Sequence, residues 1–164
     1  MVSIEELRGV QLFEDWTDKM LKQVAPLAKE EFYGERQIVY EPGDVADRFL
    51  SLKRGKVLLE AEIAPTFIIS IGAIKQGYSF GWSALFPLAS HYTSYAVCTE
   101  PSEILSLPKD EFLALLDSDH AMGYLCMHKA TRILENRLER RTAQFLKVIS
   151  KHPEIGLLLG LETG

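Results

Sequence analysis

The sequence has only two cysteines, Cys98 and Cys126, with no CxxC pair and no histidine nearby at ligand spacing. That scarcity excludes a structural zinc site and an iron–sulfur cluster, and both cysteines read as core residues. Long apolar runs are missing too. Thr66 to Ile71 and Gly156 to Leu161 fall far short of the roughly 20 residues that cross a bilayer. The N-terminus is acidic and amphipathic, whereas a secretory signal begins basic and turns apolar. A soluble, cytoplasmic chain without a membrane partner is the expectation. Positive charge is also scarce: 18 Lys and Arg stand against 23 Asp and Glu, a formal net charge of −5. The chain as a whole therefore lacks the footprint of a nucleic-acid or anionic-membrane binder. Between Gly77 and Val97 there is no Asp, Glu, Lys or Arg at all. What is present suffices for a core, since 164 residues, 47% apolar and 25% charged, are the size and composition of one compact domain.

The texture changes twice along the chain. Residues 1–28 read as N-terminal helices, with Thr17-Asp18 as a cap before Leu21, Val24, Ala25 and Ala28 at helical spacing, interrupted at Pro26. Residues 32–107 are short β-rich runs between turn residues: Gln37 to Tyr40, Arg48 to Lys53, Val57 to Ile63, Phe67 to Ala73, Tyr92 to Thr99 and Ile104 to Leu107. Strands at this spacing make a sandwich or barrel. Residues 109–150 turn helical again, Pro108 leading a short helix and Ser118-Asp119 capping a long one.

In the long helix Met127, Thr131, Leu134, Leu138, Arg141, Phe145 and Val148 recur in steps of four and three, a heptad stripe that wants a partner. The chain's own β-domain is expected to claim the first turns through Met122, Leu125 and Met127. From Leu134 onward a second copy of the helix is favoured, giving a homodimer through Thr131, Leu134, Leu138, Arg141 and Phe145. Seven cations and two carboxylates lie between Met127 and Lys151. They suit a solvated helix face near the negative end of its dipole, or an acidic protein partner.

Two segments carry a resemblance. "IVYEPGDVADRFLSLKRGKVLLE" has Gly43-Asp44 and Arg54-Gly55 at its turns, and "GYSFGWSAL" follows Gly-x-x-Phe-Gly-Glu-x-Ala-Leu at every fixed position but one. In these, residues 8–150 resemble the cyclic nucleotide-binding domain of the catabolite-activator and oxygen-regulator sensor families. The resemblance implies a mainly β fold: an eight-stranded jelly roll, or double-stranded β-helix, with N-terminal helices and a long C-terminal helix that closes a ligand pocket. Residues 151–164 would be a short apolar tail docked on the domain or on a dimer mate.

A cyclic phosphodiester with a ribose hydroxyl needs an anion site and a hydrogen-bond acceptor. A short helix after Gly81 offers backbone N–H groups to the phosphate, and arginine and a carboxylate complete the set. In the family these two are the Glu after the second Gly and an Arg about ten residues on. Here they fall on Trp82 and on Tyr92, or on His91 if the loop is one residue shorter. Charge-assisted hydrogen bonds contribute roughly 1.5 to 3 kcal/mol each, so losing two costs about 3 to 6 kcal/mol, on the order of 10² to 10⁴ in affinity.

Three readings of that pocket stand side by side. A flat or apolar effector is held by Phe80, Tyr78, Trp82 and Tyr92, with Ser83, Ala84, Thr93 and Ser94 fixing its polar atoms. Alternatively the pocket is filled by the protein's own side chains and the fold serves dimerisation or docking. In the third, a cyclic nucleotide still binds weakly through Gly81 to Ala84, with Thr131 near the base and His91 adding a proton-dependent charge. No resident cofactor is expected. His120, His128 and His152 stand singly, no His-x-His cluster of the cupin enzymes is present, and no Ser/His/Asp set has positional support, so a non-enzymatic module is expected. About 14 residues follow Ser150, too few for a helix-turn-helix. Direct DNA binding is therefore not expected of this chain; the remaining alternative is the sensor half of a longer regulator.

Overall fold

The computed structural model describes residues 2–86, 90–152 and 154. Its contacts divide the chain into two compact units, Met1–Cys126 and Met127–Gly164. The boundary between them falls inside the long helix.

The first unit opens with two short helices, α1 (Ile4–Arg8) and α2 (Asp18–Val24), joined by a 3₁₀ turn at Gln11–Phe13. Both start where side chains satisfy orphaned backbone donors. Ser3 Oγ accepts from the Glu6 amide at 3.2 Å while Glu6 Oε2 accepts from the Ser3 amide at 2.7 Å, and Thr17 Oγ1 accepts from the Met20 amide at 3.4 Å.

Eight antiparallel strands follow: β1 (Lys29–Tyr33), β2 (Ile38–Tyr40), β3 (Arg48–Arg54), β4 (Val57–Ala64), β5 (Phe67–Ile74), β6 (Ser79–Phe80), β7 (Tyr95–Cys98) and β8 (Ser102–Pro108). They form two four-stranded sheets, in the orders β1-β8-β3-β6 and β2-β7-β4-β5. Except at the β4–β5 hairpin, successive strands cross between the sheets, which is the jelly roll. The turn at Gly55 therefore carries the chain from one sheet to the other; β3 and β4 are not the paired arms of a hairpin.

Between the sheets lie Leu50, Leu52, Val57, Leu59, Phe80, Ala96, Cys98 and Ile104, all buried. Phe49 and Ser51 point the other way from β3 and are equally buried, because the outer face of their sheet is also covered. There the rings form a series: Trp16 edge-on to Phe13 at 4.8 Å, Phe13 to Phe112 at 6.1 Å, Phe112 to Phe49 at 6.3 Å, and Phe49 edge-on to Trp82 at 5.1 Å. This series joins the N-terminal segment, the helix after the strands and the β6 corner.

Three strands, β1, β7 and β8, differ from the sequence expectation, and β6 has no counterpart among the expected runs. The jelly roll begins at Lys29, not at residue 32. The strand expected from Tyr92 begins at Tyr95, because Tyr92 bonds instead to the loop before β3: its amide donates to Asp44 O and its carbonyl accepts from Gly43 N, both at 2.9 Å.

After β8 come α3 (Lys109–Ser118) and α4 (His120–Ser150). Asp119 caps α4, its Oδ1 accepting from the Met122 amide at 3.1 Å. The buried residues of α4 are Met122, Cys126, Ala130 and Ile133. Leu125 and Met127, expected to share that role with Met122, are only half-buried. Leu138, Phe145, Leu146 and Val148 are exposed by 58 to 71%. The expected docking of the tail 151–164 falls almost wholly outside the described residues.

Candidate functional site

The uncharged stretch folds as a corner. β6 ends at Phe80, Gly81 turns the chain at φ +69°, and Trp82–Ala84 form one 3₁₀ turn, with Ala84 N donating to Gly81 O at 3.0 Å and Leu85 N to Trp82 O at 2.9 Å. Glycine is required at 81 for two reasons. The left-handed conformation is costly for any other residue, and a Cβ there would lie 3.3 Å from the Tyr92 ring and 3.4 Å from Arg48 O. Gly77, at φ +82°, meets the same demand before β6, where a Cβ would stand 2.7 Å from Gly9 O.

Trp82 is half-buried. Its indole Nε1 donates to Ser79 O at 3.2 Å. Tyr92, 3% exposed, donates its hydroxyl to Arg48 O at 2.6 Å and stacks on Tyr40 at 3.8 Å with the planes 13° apart. Burial pushes the Tyr92 phenol well up, so it stays a neutral donor. Both aromatic replacements thus donate to the protein's own backbone carbonyls.

The other sequence candidates divide by exposure. Phe80, Gly81, Ala84 and Ser94 are buried, Ser83 is half-buried and Thr93 is exposed. Gly81 and Tyr92 meet in the fold. Thr131 lies in the second unit, exposed, its Oγ1 donating back to Met127 O at 2.7 Å. His91 is exposed, with Nδ1 2.7 Å from Ser90 Oγ. The dimer-stripe residues Leu138, Arg141 and Phe145 are exposed and Leu134 is half-buried.

Sequence reading missed Arg48 and Tyr40. Arg48 lies 3.2 Å from Glu31 and 3.1 Å from Asp47, and donates to the Tyr33 hydroxyl and to Val39 O, both at 3.4 Å. Burial disfavours its charge, but Glu31 and its other neighbours hold the guanidinium firmly protonated. Its partners are committed within the fold, and no sequence signal links β1 to β3 across the intervening β8. A separate open cleft of about 630 Å³ is lined by Phe32, Tyr33, Arg54, Glu100, Pro101 and Glu103; none of the corner residues borders it.

Among the described residues no group of three or more His, Cys, Asp or Glu could hold a metal ion. Cys98 and Cys126 are buried, and burial raises both thiols, that of Cys126 to about 12. No described helix is long and apolar enough to cross a membrane.

Comparison with known proteins places this geometry. The family model described as cyclic nucleotide-binding domain matches residues 30–119. The cGMP-dependent protein kinase, isozyme 1, of Drosophila melanogaster is 24% identical over 116 residues, which are 70% of this chain and only 15% of that protein. Among solved structures, a candidate cyclic nucleotide-binding protein from Geobacter metallireducens superposes with a TM-score of 0.74 at 25% identity, over 84% of this chain and 99% of that one. The sensor domain of the transcriptional regulator DNR from Pseudomonas aeruginosa does so with a TM-score of 0.68 at 17% identity, over 82% and 90%. With more than half its length matched and the jelly roll shared, the chain belongs to the cyclic nucleotide-binding domain family.

Proposed function

We propose that this chain is a non-enzymatic regulatory module of the cyclic nucleotide-binding fold whose nucleotide pocket is degenerate. One observation carries the reading. The resemblance carries the family's carboxylate for ribose onto Trp82 and its arginine for phosphate onto Tyr92, or onto the exposed His91 if the loop is one residue shorter, and both Trp82 and Tyr92 donate inward, to Ser79 O and Arg48 O. Neither is an anion acceptor or a permanent cation, and Tyr92 sits stacked in the core. A sugar phosphate brought to this corner meets no carboxylate from position 82 and no guanidinium from position 92.

The surface left for a small-molecule effector is the half-buried Trp82 and Ser83 with the exposed Thr93, backed by Phe80, Gly81, Ala84, Tyr92 and Ser94. It suits a flat, largely apolar molecule better than a charged one. Localisation in the cytoplasm and a homodimer through Thr131, Leu134, Leu138, Arg141 and Phe145 belong to the same reading. The exposed apolar residues of α4 support the dimer.

The test is isothermal titration with cyclic AMP and cyclic GMP up to millimolar ligand. Heats fitting a dissociation constant weaker than about 0.1 mM agree with the loss of two charged partners. Micromolar binding by either nucleotide overturns the degenerate pocket.

A further inference from the structure

The two sheets have four edges, and three are protected. β6 has two residues and β2 three, while β1 carries Lys29, Glu30 and Glu31. Short length and charge are the usual means by which an open edge avoids pairing with another chain. β5 has neither. It is eight residues long, Phe67–Ile74, with no charge and no proline. Nor does any described strand pair with its free side.

The exposure is unusual as well. Phe67, Ile68 and Ile69 are 56, 54 and 37% exposed, and Ile63 of the facing strand 61%. Ile69 lies opposite Ala61 and Ile68 opposite Glu62, so the apolar side chains of β5 emerge on both faces of the hairpin. A register shift between Leu59 and Glu60 leaves Ile71 without a partner on β4. The stretch with a regular free edge is therefore Phe67 to Ser70.

We infer that this edge pairs antiparallel with the same edge of a second copy, extending the sheet across a two-fold axis near Ile69. The occupant follows from composition. Identical strands paired about such an axis oppose residues of the same segment: Ile69 to itself and Ile68 to Ser70, with Phe67 reaching the irregular Ile71. A charge on the axis would face itself, which destabilises; in β5 every opposed residue is uncharged. A second copy also supplies an equally apolar strand on both faces by construction, as an unrelated polar segment does not. The contact is short, below the size of a stable interface, and so is expected to form at high protein concentration. It is independent of the corner at Gly81 and of the stripe on α4. Where both self-complementary surfaces act, species larger than a dimer result.

The experiment uses the full chain with Leu138→Asp and Phe145→Asp, to silence any helix contact, and compares sedimentation velocity and amide exchange at low and high micromolar concentration. The expected result is concentration-dependent dimerisation with slowed exchange at Phe67 to Ser70. Adding Ile68→Lys or Ser70→Lys, both at exposed positions, lowers the association constant by about tenfold or more; a melting curve for each variant shows that it folds. Unchanged exchange at Phe67 to Ser70 across the concentration range, or association that both lysine variants leave intact, overturns the pairing.

Discussion

Tyr92 shows how one residue can be shaped like a site and serve as core. Its ring lies flat on Tyr40 and its hydroxyl reaches Arg48 O at 2.6 Å, so its polar atom is satisfied before any ligand arrives. Tyr92→Phe keeps the stack and leaves one buried carbonyl without its donor. The expected cost is about 1 kcal/mol, a fall in melting temperature of roughly 2–4 °C, with nucleotide binding unchanged. Tyr92→Arg places a second cation beside Arg48 at a buried position and should destabilise more. A Phe variant that melts as the wild type does would show that the hydroxyl bond contributes little. At position 82 the tryptophan in place of the expected glutamate is legible in the sequence, since the two glycines fix the register there; further on, the sequence leaves Tyr92 and His91 as alternatives. The direction in which the replacements point is not legible, because Ser79 O and Arg48 O become acceptors only through the turn at Gly81 and the pairing of β3 with β6.

Between elements, the ion cluster at Lys53 ties α1 to its sheet. Lys53 Nζ lies 2.6 Å from Glu6 of α1 and 3.6 Å from Glu103 of β8, and also bonds Glu30 of β1. The bond from Lys53, with that from the Ser3 amide, holds the Glu6 carboxyl at about 2, below its usual 4.5. A carboxyl depressed in the folded state stabilises above its unfolded value and loses that contribution as pH falls through the folded one. Amide exchange in α1 should therefore speed up as pH drops from about 4.5 toward 2, after correction for intrinsic rates, and Lys53→Met should remove most of that dependence. An α1 equally protected across this range would rule the tie out.

The elements also show where pattern reading stops. β1 was missed because its Lys29, Glu30 and Glu31 look like a solvated loop; they are the protected edge of a sheet. β6 has two residues, too short for any period. On α4 the buried stripe runs through Cys126 and Ala130, whose small side chains signal little. The heptad of larger residues lies open to solvent from Leu138 onward.

At the scale of the molecule, the order helix, strands, helix and the spacing of the turns made a sandwich or barrel readable, and the resemblance to the family made that an eight-stranded jelly roll. The covering of the outer face at Phe49 was not readable, as it depends on Phe13 and Phe112 arriving from opposite ends of the chain. Assembly is the corresponding prediction. If α4 pairs through its stripe, Leu138→Asp with Phe145→Asp should weaken the dimer by at least about thirtyfold, equivalent to about 2 kcal/mol. Melting at concentrations below those that populate the dimer should stay unchanged, because both side chains are exposed in the single chain. A wild-type chain that sediments as a monomer throughout would remove the helix contact.

The ring series beside β3 has an optical consequence. Its two ends are Trp16 and Trp82, the only tryptophans in the sequence, one 3% exposed and the other half-buried. Intrinsic emission thus has a shielded source in the N-terminal segment and a quencher-accessible one at the Gly81 corner. A compound that settles on Trp82 perturbs the accessible component alone, whereas loosening of the N-terminal segment perturbs the shielded one. Unlabelled protein in a cuvette can therefore be screened for small-molecule binding and checked for intact folding in the same spectrum.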